Sequence, residues 1–218
     1  MFNLFKKKET PIRDTLLGDL PIDQWPKGNH KGQPWAMFVD ARQQLMVMQN
    51  KQEAAKIYQK ITETPNLESR HYLQAWNVLR KLGVNPPPEK AKKAYGVVVE
   101  VCMQNGTELV VGYADHTARY FHVSGGGVIW ETPDTSLNNQ IDSLIKAGET
   151  AAVEISPLVN ARPNAPKDIG AVQICILTPS GLHHGIGTFE TLSQHKTAKD
   201  IVDAATNLMQ SLVAKSKS

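Results

Sequence analysis

Residues 94–131, AYGVVVEVCMQNGTELVVGYADHTARYFHVSGGGVIWE, constrain this chain more than any other stretch. Val97, Val98, Val99 and Val101 are β-branched, stiff at χ1 and better suited to a pleated surface than to a helix, so residues 96–102 read as a strand. Asn105-Gly106 tolerates positive φ at both residues and predicts a type I′ hairpin turn, with residues 109–113 running back antiparallel. Asp115-His116-Thr117 is a polar break. Residues 119–123 follow as a third strand, with Tyr120 and Phe121 on opposite faces. Ser124-Gly125-Gly126-Gly127 turns the chain into a fourth strand, Val128-Ile129-Trp130. The result is a meander of short strands joined by tight turns.

On the N-terminal side the pattern is helical. Phe38, Ala41, Leu45 and Met48 recur at steps of three and four, as one face of a helix requires. Asn50 with Glu53 marks a new helix start, carrying Ala54, Tyr58 and Ile61. Thr64-Pro65 matches an N-cap and a first-turn proline for a third helix with Tyr72, Trp76 and Leu79, which Gly83 ends. Pro86-Pro87-Pro88 has no place inside a helix or a central strand and marks a boundary. After the meander, Leu137, Ile141, Leu144 and Ile145 share a helix face that Gly148 closes, and residues 151–155 alternate like a strand. Residues 156–170 hold three prolines and no period, the signature of a long binding or mobile loop. A second hairpin spans residues 171–177 and 182–189 around Thr178-Pro179-Ser180-Gly181. Thr197 and Asp200 then open a helix carrying Ile201, Ala205, Leu208 and Leu212.

The expected fold is α+β: a short N-terminal helical bundle, then an antiparallel β-sheet of about six or seven strands packed with two amphipathic helices. The expected organisation is an extended arm over residues 1–34, a helical segment over 35–84, a proline-rich linker over 85–93 and a sheet domain over 94–218. Within the arm, Ile22 and Trp25 are the expected docking points.

Charge excludes one class of partner. The formal net charge is +3, but Lys6, Lys7, Lys8 and Glu9 contribute +2 and Lys215 with Lys217 another +2, so the body between carries −1. A nucleic-acid surface needs clustered Lys and Arg to displace counterions, and none is expected here. Residues 1–8 place three lysines beside Phe2, Leu4 and Phe5, which supports at most weak contact with an anionic membrane surface. Their order is the reverse of a secretory leader, and no apolar run approaches about 18 residues. The two cysteines, Cys102 and Cys175, fall in expected strands and read as buried free thiols of a cytoplasmic protein, with one disulfide across the sheet as the alternative.

Two function classes remain. The first is a non-enzymatic protein-protein interaction module that uses residues 35–82 or the sheet surface near Tyr113, Arg119 and Trp130, because arginine and aromatic residues favour interfaces. Self-association into a homo-oligomer belongs to the same class. The alternative is a small enzyme or ligand- or metal-binding domain built from Asp115, His116, His122 and His184, with Arg162 of the long loop as an anion anchor. His183 and His184 lie on opposite faces of their strand, so only one can join such a group. No metal-ligand spacing, P-loop or nucleophile elbow is present, so neither metal nor cofactor is expected. Glycines 125–127 precede a strand rather than a helix and read as a turn, and Ser124 and Ser180 read as turn serines.

Overall fold

A computed structural model of the chain describes residues 12–20, 32–131, 133–158 and 162–216. Residues 1–8, Ile22 and Trp25 lie outside the described residues. The expected meander is formed by β1 (Gly96–Met103), β2 (Gly106–Tyr113), β3 (Ala118–Phe121) and β4 (Gly127–Trp130). The second hairpin is β5 (Ala171–Thr178) and β6 (Gly181–Thr188). They make one sheet of order β4-β3-β2-β1-β5-β6, antiparallel throughout. Central β1 explains its own sequence. A strand covered on both faces reads as a continuous apolar run rather than an alternating one. The β1–β2 turn departs from expectation: Gln104-Asn105 form its tip, and the positive φ falls on Gly106 (144°), so no type I′ Asn-Gly turn is made.

One face of the sheet is covered by α6 (Asn138–Glu154) and α8 (Lys196–Lys215). Ile141, Leu144 and Ala151 of the first, with Ile201, Leu208 and Leu212 of the second, are buried against Val97, Val99, Tyr120 and Ile176. Two expectations fail on α6. Residues 151–154 continue the helix instead of forming a strand, because Gly148, Ala151 and Ala152 are all buried and extend the same three-four spacing. Gly148 does not end the helix. It is the point of closest approach to the sheet, where a Cβ would stand 2.4 Å from Val97 Cγ2. At the start of α8 the helix begins at Lys196 after His195, and Thr197 lies inside the first turn with its hydroxyl 3.1 Å from His195 Nδ1.

The opposite face is closed by the N-terminal segment. The short α1 (Ile12–Leu16) and the turn after it bring Leu16 and Leu17 onto Val98, Val111, Tyr113 and Leu177, with Leu73 alongside. The arm is therefore docked within residues 12–20, not free there. The helical segment is α2 (Trp35–Met46), α3 (Lys51–Glu63) and α4 (Ser69–Lys81), packed around Phe38, Ala41, Tyr58, Ile61, Trp76 and Leu79. Asn50 caps α3 as expected, its Oδ1 accepting from Glu53 N at 3.1 Å. Thr64 instead closes α3, and α4 begins five residues later at Ser69 behind Glu68, whose N–H donates to His71 Nδ1 at 3.2 Å. Met48 falls beyond α2 and is exposed, so it leaves the expected stripe. The prolines lead into the single turn α5 (Pro88–Ala91), and Thr188 caps the short α7 (Phe189–Gln194).

No helix of the described residues is long and apolar enough to cross a membrane.

The approach of α6 to β1 sets an expectation. Gly148→Ala, normally favourable in a helix by roughly 1 kcal/mol, forces Val97 or the helix to move. The variant is expected to lose about 1–3 kcal/mol, read as a lower midpoint in urea unfolding.

Candidate functional site

Glu100 interrupts the valines of β1 and points to the face that α1 covers. It is fully buried. Arg13 reaches it as a two-pronged pair, Nε to Oε1 at 2.5 Å and Nη2 to Oε2 at 3.0 Å, while Gln173 Nε2 donates to Oε2 at 2.7 Å. Gln173 is the cross-strand neighbour of Glu100. Its Oε1 accepts from His184 Nε2 at 3.2 Å, and Arg13 Nη2 also donates to Pro163 O at 2.9 Å. A buried carboxylate needs such a complete set of donors. The network ties strands β1, β5 and β6 to α1 and to the long loop.

The sequence candidates take separate places. Tyr113 is buried in the α1-covered core and donates its hydroxyl to Leu16 O at 2.6 Å, with its pKa raised by burial. Arg119 is buried, donating to Ala118 O, Trp130 O and Glu131 Oε1. Trp130 packs in the core beneath α6 and α8, with Lys215 Nζ 5.7 Å from its ring centre. Tyr113, Arg119 and Trp130 thus present no interface surface. Asp115 clamps the start of α4: Oδ2 accepts from Ser69 N at 2.6 Å, and Oδ1 accepts from Thr117 N and its hydroxyl. His116, with φ 63°, meets Asp142 at 2.9 Å on the α6 side. His122 lies at the far end of the meander with Glu108 at 3.0 Å and Ser124 Oγ at 2.8 Å. His184 belongs to the Glu100 network. Asp115, His116, His122 and His184 do not converge, and no group of three His, Cys, Asp or Glu residues suited to a metal occurs among the described residues.

Both cysteines are free and buried, and no disulfide joins them. Burial first, and Glu100 second, push the Cys175 thiol up to about 12, which removes it as a nucleophile at neutral pH.

Among the described residues, two cavities lie on the α1-covered side. The smaller, about 320 Å³, touches Arg13, Glu100, His122 and the glycine turn at Gly125-Gly126. The larger, about 680 Å³, opens between α4, the turn after α1, the long loop and the tip of the β5–β6 hairpin. Arg162 lines it and is held by Asp19 at 3.1 Å. At the hairpin tip His183 is completely buried, with Nδ1 donating to Ile155 O at 2.8 Å. Its Nε2 is left to accept from Thr178 Oγ1 at 3.1 Å or Ser180 Oγ at 3.4 Å. This arrangement fixes the tautomer and the turn. His183 and His184 do point to opposite faces.

Sequence reasoning missed Arg13, Glu100 and Arg80 as site-forming residues, and weighed His183 only as an alternative to His184. One signal was readable: a single carboxylate inside an otherwise apolar, doubly covered strand must be paired. The partners, 87 and 73 residues away, left no trace in spacing. No protein-family model, curated protein or solved structure matches the chain.

Burial holds His71, His183 and His184 below the ordinary histidine pKa. The unfolded chain therefore binds more protons once the pH falls under about 6.5. Their stabilising share is complete above that value and declines as the pH drops through the lowered values. Each contributes a slope of at most about 1.4 kcal/mol per pH unit. Stability against urea is expected to fall as the pH drops below about 6.5, and more gently in His183→Asn. Parallel slopes in the two proteins would contradict the assignment for His183.

Proposed function

We propose that the protein is a cytoplasmic, non-enzymatic interaction module that docks a partner protein on the outer side of α2 and the turn after it. One observation carries this reading. Met46, Val47 and Met48 are consecutive and 68%, 71% and 61% exposed. Val39 lies two helical turns before Met46 on the same side of α2 and is also exposed. Runs of exposed apolar residues on a soluble surface mark interaction sites. Methionine adapts its shape to apolar partners at little cost. The bundle core, formed by Phe38, Ala41, Tyr58 and Ile61, does not use these side chains. The partner chemistry that fits is an apolar, amphipathic helix laid along α2. Two buried free thiols support a reducing compartment.

The helical segment cannot be removed cleanly to test this, because α4 supplies Leu73 to the sheet core and Ser69 to Asp115. Surface substitution avoids that problem. The variant Met46→Ser, Val47→Ser, Met48→Ser is expected to unfold within about 0.5 kcal/mol of the parent. In cross-linking pull-downs with the full chain it is expected to lose at least tenfold of the partner captured by the parent. Equal capture by a stably folded variant would refute the docking face.

A further inference from the structure

Arg80 lines the larger cavity with no carboxylate in ion-pair contact among the described residues, although the Asp19 carboxylate across the cavity acts on it through space. Arg80 is half-buried, and its Nη1 donates to Pro179 O at 2.5 Å. Asp19, the acid on the cavity wall among the described residues, is already engaged by Arg162. Guanidinium stays protonated under all ordinary conditions, and its remaining N–H donors need acceptors when water is restricted. Leu17, Leu73, Leu177 and Leu182 contribute apolar lining to the same cavity. Thr178 and Ser180 add hydroxyls at the edge. A volume of about 680 Å³ falls within the range of small-molecule sites.

The position of Arg80 is not accidental to the fold. Leu73, Asn77, Arg80 and Lys81 follow the spacing of one helix face, so α4 turns this side toward the β5–β6 tip. Its other side packs Ala75, Trp76 and Leu79 into the bundle. Cations predominate on the wall, with Arg80, Lys81 and Arg162 against Asp19.

We propose that this cavity binds a small organic anion, with its carboxylate or phosphate on the Arg80 fork and its apolar body against the four leucines. Planar two-pronged recognition is what guanidinium offers such oxyanions. The site is separate from the α2 docking face, and either stands without the other.

Isothermal titration of the full chain with hexyl phosphate, hexanoate and inorganic phosphate tests the proposal. At least one hexyl compound is expected to bind at least tenfold more tightly than inorganic phosphate, and the tighter of the two identifies the head group. Arg80→Gln is expected to weaken that binding roughly tenfold or more, the loss typical of a charged hydrogen bond. Leu182→Trp fills the cavity from its β6 wall while keeping the Arg80 guanidinium, and is expected to abolish binding while leaving the melting temperature within a few degrees. This second variant carries the test if Arg80→Gln fails to fold. No binding of either hexyl compound at millimolar concentration would overturn the proposal. So would inorganic phosphate binding as tightly, or parent-like binding by folded Arg80→Gln or Leu182→Trp.

Discussion

The buried ion pair between Glu100 and Arg13 is the constraint on which the rest of this structure depends. A carboxylate at the centre of a six-stranded sheet cannot stay charged and dry without donors, and Gln173 alone supplies only one. The second and third come from Arg13, which makes the N-terminal segment part of the fold rather than an appendage. Once Arg13 is held, Leu16 and Leu17 fall on Val98 and Val111, and Tyr113 finds an acceptor in Leu16 O. Leu17 and Asp19 then form one wall of the larger cavity, so the same pair shapes the candidate ligand site. Such a pair need not add net stability over an apolar replacement, but breaking it on one side is costly.

Helix α4 is the second organising element, because it serves two cores at once. Trp76 and Leu79 face the bundle, whereas Leu73 faces the sheet and Arg80 the cavity. Asp115 fastens its beginning from the β2–β3 turn, and Pro179 O meets Arg80 near its end. With α4 anchored in this way, α2 packs its first turn on His71 and keeps Val39, Met46, Val47 and Met48 at the surface. The two proposed binding places thus arise from different helices of one three-helix unit.

Local chemistry made much of the fold legible. The valines of β1, the Asn50 cap and the helix faces of α6 and α8 follow from propensity and period, which act over a few residues. The misreadings share a cause. Gly148 looks like a terminator until Val97 is seen 2.4 Å from where its Cβ would be. Thr64-Pro65 looks like a helix start until Glu68 and His71 provide a better one. Tyr113, Arg119 and Trp130 look like interface residues because their types favour surfaces, yet pairing within the sheet buries them. In each case a contact distant in sequence, or a competing local cap, decided the outcome. The candidate site was hidden for the same reason: Arg13 and Asp19, Arg80, and Arg162 come from three separate segments, and only the fold brings them near β5 and β6.

The most direct measurement is urea unfolding of Arg13→Met beside the double variant Arg13→Met, Glu100→Gln. Removing the guanidinium alone strands a buried carboxylate and is expected to cost about 3–5 kcal/mol. Neutralising Glu100 as well removes the stranded charge, and most of that loss is expected to return. An Arg13→Met protein within about 0.5 kcal/mol of the parent, the range of an ordinary surface change, would contradict the central role of the pair. A double variant no more stable than the single one would contradict it equally.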